Sequence, residues 1–363
     1  MSFLLIKPEE IQDLVSMAEC IDAVEKGYVG AYRYPVINAP RRRVHSPEGV
    51  RISNFPGGVH DMGGIGAASR AEKVVQEGAN QRYAFREHPV HVLNDSKTGE
   101  LMAMVIGEPV EKTLGYTSLV ALRTAATSGV AFRYMVRENA ETAGLLGSGG
   151  QGANQLLALL SVRPGIKRIK VYSRSADNRR AFAEKYGSQF GVEIEPVDST
   201  EEAIRGVDAL LCATNTNVEL FDGDLLEPGQ HLTGIIGGNV QLVQGGFLKK
   251  ARREIDDRTV ERADIVVANL SESIVSEQQG DLYEPIQKGL IKLEDIGELG
   301  QMAAGDFVGR ANDDQITYHK NNNGTAASEI AIALLVYQKA KAAGRGTEID
   351  LIAPDVLKQQ FAK

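Results

Sequence analysis

Residues 142 to 157, Thr-Ala-Gly-Leu-Leu-Gly-Ser-Gly-Gly-Gln-Gly-Ala-Asn-Gln-Leu-Leu, constrain the fold more than any other stretch of the chain. A short apolar run enters a G-x-G-x-x-G and leaves into an apolar-periodic segment. That order reads as strand, phosphate loop and helix. In such a loop Gly147 permits the tight turn, Gly149 lets the backbone approach a pyrophosphate, and Gly152 lets the helix pack close to its strand. The helix start at Ser148, Gly150 and Gln151 adds N–H donors and a partial positive charge, so a dinucleotide is the natural ligand. Glycines alone would make only a flexible turn. Here the next apolar run, Arg168 to Ser173, follows after one helix length, as the second strand of a β-α-β unit should.

The end of that second strand bears on which nicotinamide cofactor fits. An acidic residue about 20 positions past the glycines would accept from the ribose 2′-hydroxyl of NAD. This chain has Ser173 there, followed by Arg174, with Arg179 and Arg180 one turn into the next helix. Cations and a hydroxyl suit a 2′-phosphate, so NADP(H) is expected in preference to NAD(H), which stays possible. The alternative reading makes Ser173 a helix cap and the arginines solvated.

A chain of 363 residues with 43% hydrophobic and 24% charged content has the size and composition of a two-domain globular protein. A net charge of −8 disfavours nucleic acid or an anionic membrane as partner while permitting a locally basic pocket. Cys20 and Cys212 are the only cysteines, which argues against a disulfide framework or a cysteine metal site and fits a reducing cytoplasm. The apolar run Phe3 to Ile6 is too short for a signal peptide, and no segment approaches the ~20 apolar residues of a membrane span. No metal site is expected.

Before residue 120 the pattern is mixed. A helix follows Pro8, and the runs 90–93 and 101–106 are joined by Asn94-Asp95-Ser96-Lys97-Thr98-Gly99, turn chemistry that predicts an antiparallel hairpin in an α+β first domain. From 142 to 316, apolar strands near 142–147, 168–173, 208–213, 231–236 and 264–268 alternate with helical stretches, the signature of a doubly wound sheet. The mixed-sign run 249–258 reads as a solvated surface. An apolar helix from Ala326 follows the last Rossmann strand and is expected to return to the first domain.

Ala121-Leu122-Arg123-Thr124-Ala125-Ala126-Thr127-Ser128-Gly129, one helix before the glycine loop, resembles the corresponding segment of the ornithine cyclodeaminase and mu-crystallin family. The likeness continues in Ala213 to Thr216, Pro228 to Leu232, Gly280 to Leu282, Gly309-Arg310 and Ile316 to Gly324. It implies a substrate-binding and dimerisation domain over 1–122, completed by a C-terminal helix over 324–363, and a Rossmann domain over 123–323. It also implies a homodimer and a nicotinamide-dependent interconversion of amino acids with imino or oxo acids. By motif, Arg123 matches the arginine that holds the substrate carboxylate, while Thr124, Thr214, Asn215, Thr216 and Asn323 fall at cofactor contacts. A planar guanidinium suits that role, because it grips a carboxylate bidentately. One of Arg41, Arg42 and Arg43 matches a second carboxylate-binding arginine, with Arg41 and Arg43 the candidates.

The chain also departs from the family pattern. Where the family places a catalytic lysine, Arg70 stands nearest, and Lys73 takes the place only if the register slips. An arginine binds a carboxylate but cannot shuttle protons near neutral pH. The cyclodeaminase aspartate is replaced by Asn239 in Gly237-Gly238-Asn239; asparagine can orient an amine or imine but cannot act as a general base. His91, opposite in phase to Val90 and Val92, is the remaining candidate proton donor, its imidazole titrating near working pH. Together these features predict an NAD(P)H-dependent imine reductase or amino-acid dehydrogenase for a small 2-imino or 2-oxo acid. The alternatives are an ammonia-releasing cyclodeaminase and a non-catalytic binding protein of the mu-crystallin kind.

Overall fold

The structure, a computed structural model, describes residues 2–77, 80–107, 118–238, 240–246, 249, 251–321 and 324–351. The strands before residue 107 are β1 (Ser2–Ile6), β2 (Arg42–His45), β3 (Val50–Val59), β4 (Gly64–Glu77), β5 (Asn80–Arg86), β6 (Val90–Asp95) and β7 (Leu101–Ile106). Those that follow are β8 (Thr142–Leu146), β9 (Arg168–Tyr172), β10 (Glu193–Pro196), β11 (Ala209–Cys212), β12 (His231–Gly234), β13 (Ile265–Ala268), β14 (Gly297–Glu298), β15 (Thr317–Lys320) and β16 (Thr347–Asp350).

Turn chemistry builds the first sheet. The expected hairpin is present as β6 and β7, closed by Asp95 Oδ1 accepting from the Lys97 and Thr98 amides at 2.8 Å and by Gly99 at φ +75°. The sheet runs β16-β1-β7-β6-β4-β3-β2, with β5 paired to β4. It is antiparallel except where β1 lies parallel to β7. The tail helix, Ala326–Ala342, is capped by Thr325, whose side chain accepts from the Ser328 amide, and it packs on β3, β4, β6 and the helix Met17–Arg33, so the tail does return to the first sheet. It is shorter than the expected 324–363. The chain turns after it to add β16 antiparallel to β1, and 352–363 lie outside the described residues.

The second sheet is wholly parallel, in the order β10-β9-β8-β11-β12-β15-β13-β14. This is a doubly wound α/β sheet whose order reverses between β8 and β11, where the carboxyl ends of parallel strands leave a crevice for a ligand. Five of its strands were expected. Three were not, because β10 is a short polar edge, β14 has two residues, and β15 reads Thr-Tyr-His-Lys although every residue of it is buried.

The helix Leu119–Met135 joins the two halves. Ser118 caps it by accepting from the Ala121 amide at 3.0 Å, and it is buried on nearly every side between the helices Met17–Arg33 and Gly150–Val162. The boundary expected between 122 and 123 therefore falls inside a helix. Among the described residues no helix is long and apolar enough to cross a membrane.

Candidate active site between the two sheets

The glycine loop follows β8 and opens into the helix Gly150–Val162, with Gly149 as N-cap. Gly147 sits at φ +114°, and a Cβ there would stand 2.4 Å from the Ala213 carbonyl oxygen. A Cβ on Gly152 would meet the Gly147 carbonyl at 2.3 Å, whereas one on Gly149 would meet nothing within 4 Å. The first and third glycines thus make the turn and the close packing, and the second leaves open space over the helix N-terminus. Gln151 turns toward the same space, its Oε1 buried without a hydrogen-bond partner. These features fit a dinucleotide pyrophosphate.

At the end of β9, Ser148 Oγ donates to Ser173 Oγ at 2.8 Å, and Ser173 Oγ donates to the Ser175 carbonyl at 3.2 Å. The cap of the following helix is Ser175, not Ser173. Arg174 is exposed. Arg179 is engaged with Asp198, donates to the Ser173 carbonyl and lies over the Tyr172 ring, and Arg180 pairs with Asp177. Of the expected cations, Arg174 is the one that reaches solvent beside Ser173 without an acidic partner among the described residues.

A cavity of about 300 Å³ lies between the two sheets, and seven arginines line it: Arg41, Arg43, Arg51, Arg70, Arg86, Arg123 and Arg252. Strand register explains the first group. Arg43, Ser53 and Arg70 form one cross-strand row over β2, β3 and β4, and Arg51, Glu72 and Arg86 form the next over β3, β4 and β5. Both rows face the cavity. Period-two alternation puts Arg42 and Lys73 on the other face, where both are exposed. Lys73 therefore takes no part in the site, and Arg41 and Arg43 are the arginines that face it.

Carboxylates behind the wall hold these cations. Glu72 pairs with Arg51, Arg70 and Arg86, and burial, which would raise its pKa, is outweighed by the three guanidiniums, which hold it at about 2. Glu277 receives Arg41 and Arg43, and Arg43 also donates to the Gly238 carbonyl at 3.2 Å, which ties the first sheet to the loop after β12. Burial and then the neighbouring guanidiniums of Arg43, Arg51, Arg70 and Arg123 press the Arg41 pKa down.

Arg123 projects from the helix Leu119–Met135 beside Thr124, which also lines the cavity. Its Nη2 lies 2.9 Å from Glu329 Oε1 on the tail helix, while Nε and Nη1 are buried without hydrogen-bond partners among the described residues. Such a guanidinium is held on one edge and open to an anion on the other. His91 does not line the cavity; its Nε2 is 3.4 Å from Glu329 Oε2, and Glu329 in turn pairs with Arg123. Burial, outweighed by Arg123 and the His91 hydrogen bond, leaves Glu329 at about 2.

The remaining wall comes from the carboxyl ends of β11 and β12: Thr214, Asn215, Ile235, Ile236 and Gly237. Thr216 stands behind it, its amide donating to Thr214 Oγ1 at 3.3 Å. Beneath lies a buried polar cluster with no signal in the apolar pattern. Asp281 Oδ1 accepts from the Glu254 and Ile255 amides and Oδ2 from Lys320, while Glu254 Oε1 accepts from the Ile236 amide at 2.8 Å. Burial, partly offset by Lys320, lifts the Glu254 carboxyl to about 7. Its Oε2 is 3.5 Å from Thr214 Oγ1. Asn239 and Asn323 lie outside the described residues.

Residues 3–344 match the model of the ornithine cyclodeaminase/mu-crystallin family. The chain belongs to that family. Over 260 residues it is 31% identical to a delta(1)-pyrroline-2-carboxylate reductase of Bacillus cereus, spanning 71% of this chain and 73% of that protein. The structure of the Thermococcus litoralis delta(1)-pyrroline-2-carboxylate reductase in complex with NADH and L-proline superposes with a TM-score of 0.78 at 28% identity, covering 96% of this chain and all of that one. An archaeal alanine dehydrogenase dimer with bound NAD gives a TM-score of 0.77 at 25% identity, covering 97% of this chain and 100% of its own.

Proposed function

We propose that this family member is a nicotinamide-dependent imine reductase or amino-acid dehydrogenase that acts on a small 2-imino or 2-oxo acid. The observation that carries the reading is Arg123. Its guanidinium presents two buried, unpartnered nitrogens to a cavity whose opposite wall, Gln151, Thr214 and Asn215, continues from the dinucleotide loop. A substrate carboxylate on Arg123, with Arg41 and Arg43 beside it, sets the adjacent α-carbon against that wall, and such positioning supplies much of the rate in hydride transfer. A bound nicotinamide would supply the hydride. Arg70 faces the same space as a binding and polarising group.

Reduction of C=N or C=O also consumes a proton. Glu254, raised to about 7, can hold one near neutral pH and pass it by way of Thr214 Oγ1 at the cavity wall. His91 serves as a positioning residue. NADP(H) is the preferred cofactor, on the ground of Ser173 and exposed Arg174, with NAD(H) also accepted. The working unit is a homodimer in the cytoplasm. The outer face of the first sheet exposes Val44, Ile52, Ile65 and Phe85, an apolar set suited to a second copy of the chain, and a relative is known as a dimer. Cys20 and Cys212 are both free thiols, as a reducing compartment allows.

The test is NADPH and NADH oxidation, followed at 340 nm, against a panel of 2-oxo acids with ammonia or amines and of cyclic imino acids. Oxidation with any of them supports the reading. Ammonia release from ornithine with no net change at 340 nm points instead to a cyclodeaminase, and absence of hydride transfer with every compound overturns the reading.

A further inference from the structure

The arginine wall exceeds what a single α-carboxylate requires. One carboxylate is gripped bidentately by one guanidinium and needs at most a second beside it. Arg123 and the Arg41/Arg43 pair provide that. Seven arginines nevertheless line the cavity, and among the described lining residues none is acidic. Among the described residues, the carboxylates that pair with the wall from behind, Glu72, Glu277 and Glu329, each meet one to three of its guanidiniums.

The surplus is also placed. The row of Arg51, Glu72 and Arg86 lies two residues along the strands from the row of Arg43, Ser53 and Arg70, a separation of about 7 Å. A second cationic station thus stands one short side chain away from the first. Arg86 is at its rim, its Nε 3.1 Å from Glu72 Oε1 and its side chain one-third exposed, so an entering anion reaches it without displacing the buried carboxylate. The volume of about 300 Å³ is at the lower limit of small-molecule sites, which span ~300–1,000 Å³, as suits a small substrate.

We infer that the substrate of this site is a short-chain dicarboxylate, a 2-imino or 2-oxo acid whose side chain ends in a second carboxylate held by Arg51 and Arg86. The inference rests on the reductase reading and narrows its substrate class. Crowding of guanidiniums in a site shielded from water is costly without an anion, and a dianion relieves it twice. At Arg41, burial and after it the charge of four cationic neighbours press the pKa down, the same crowding seen at one residue.

The experiment compares kcat/KM for 2-oxobutanedioate and 2-oxopentanedioate with ammonia against the monocarboxylate analogues 2-oxobutanoate and 2-oxopentanoate, whose side chains are uncharged. The diacids are expected to be favoured at least about tenfold, the order of one charge-assisted contact. In Arg86→Gln that ratio is expected to fall toward one, and in Arg86→Lys to fall less. Equal or better use of the monoacids by the unmodified protein overturns the inference and leaves the reductase reading standing. If no oxo or imino acid is reduced, the reductase reading fails, and a second measurement decides the binding claim. Thermal melting with NADPH and butanedioate is compared with NADPH and butanoate. A larger rise with the diacid, diminished in Arg86→Gln, sustains the dicarboxylate site, and an equal rise removes it.

Discussion

Arg123 Nη2 and Glu329 Oε1 stand 2.9 Å apart with both side chains almost wholly shielded from water, and they join the helix Leu119–Met135 to the tail helix at the cavity. The pair makes Arg123, proposed above to hold the substrate carboxylate, the partner of a buried carboxylate as well. Its removal has two separable costs.

Arg123→Ala is expected to lower kcat/KM by at least about a hundredfold, through loss of charge-assisted contacts to the substrate. It is also expected to destabilise the protein by ~3–5 kcal/mol, because Glu329 is left buried without its cation. Arg123→Lys should recover most of the stability and little of the activity, since an ammonium keeps the charge but not the fork. Steady-state kinetics and urea midpoints check both. Near-normal kinetics in either variant removes Arg123 from the carboxylate site.

Glu329 and Glu72 are both held at about 2, below the ordinary 4.5 of a glutamate. Each therefore contributes stability that is complete above about pH 4.5 and is lost as the pH falls toward 2, with a slope of up to about 1.4 kcal/mol per pH unit per carboxylate. Urea midpoints between pH 5 and 3 should fall less steeply in Glu329→Gln than in the unmodified protein. His91→Gln, which withdraws one of the contacts that lower Glu329, should shift KM more than kcat and leave the pH profile of kcat in place, as fits a residue that holds Glu329 from behind. Loss of a titration near neutral pH in that variant would return His91 to the role of proton donor.

How much of this was legible beforehand depended on the kind of pattern involved. Gly147 and Gly152 declare themselves because backbone geometry demands them, Gly149 because it keeps the space over the helix start open, and Asp95 and Gly99 because local hydrogen bonds close their turn. β15 was hidden. Tyr318 packs in the apolar core, but Thr317, His319 and Lys320 are polar and find their partners far along the chain, as His231 Nδ1 with Thr317 Oγ1 at 2.9 Å and His319 Nε2 with Asn269 Oδ1 at 3.0 Å. The arginine wall was half visible. Arg41, Arg43, Arg70 and Arg123 lie in recognisable motifs, whereas Arg51, Arg86 and Arg252 reach the cavity through strand register and chain return, which no local window contains. Register also decides against Lys73, one pleat from Glu72, and against Arg42, one pleat from Arg43.

The ribose end of the cofactor site makes a separate prediction. Ser173→Asp should favour NADH over NADPH, since a carboxylate repels a 2′-phosphate and accepts from a 2′-hydroxyl. Arg174→Ala should weaken NADPH by about tenfold and leave NADH nearly unaffected, the order of one exposed charge-assisted contact. Fluorescence titration of both nucleotides measures this. Equal or tighter binding of NADH by the unmodified protein ends the assignment.

Glu254 is shifted in the opposite sense from Glu329, so its pH dependence has the opposite sign. A carboxyl with an unfolded value near 4.5 and a folded value of about 7 favours the folded state in its protonated form, and its contribution declines as the pH rises through that interval. Glu254→Gln keeps the acceptor for the Ile236 amide and removes the ionisation. The variant should therefore gain stability relative to the unmodified protein between pH 5 and 8, read as the difference in urea midpoints. The same substitution tests the proton path. If Glu254 supplies the proton through Thr214 Oγ1, the reductive kcat of the unmodified enzyme declines as the pH rises past about 7, and Glu254→Gln lowers kcat roughly tenfold or more and abolishes that limb. Thr214→Val should lower kcat in the same way while leaving the stability profile of Glu254 in place. A full kcat with an unchanged alkaline limb in both variants assigns the proton to another source and leaves Glu254 with a structural role alone.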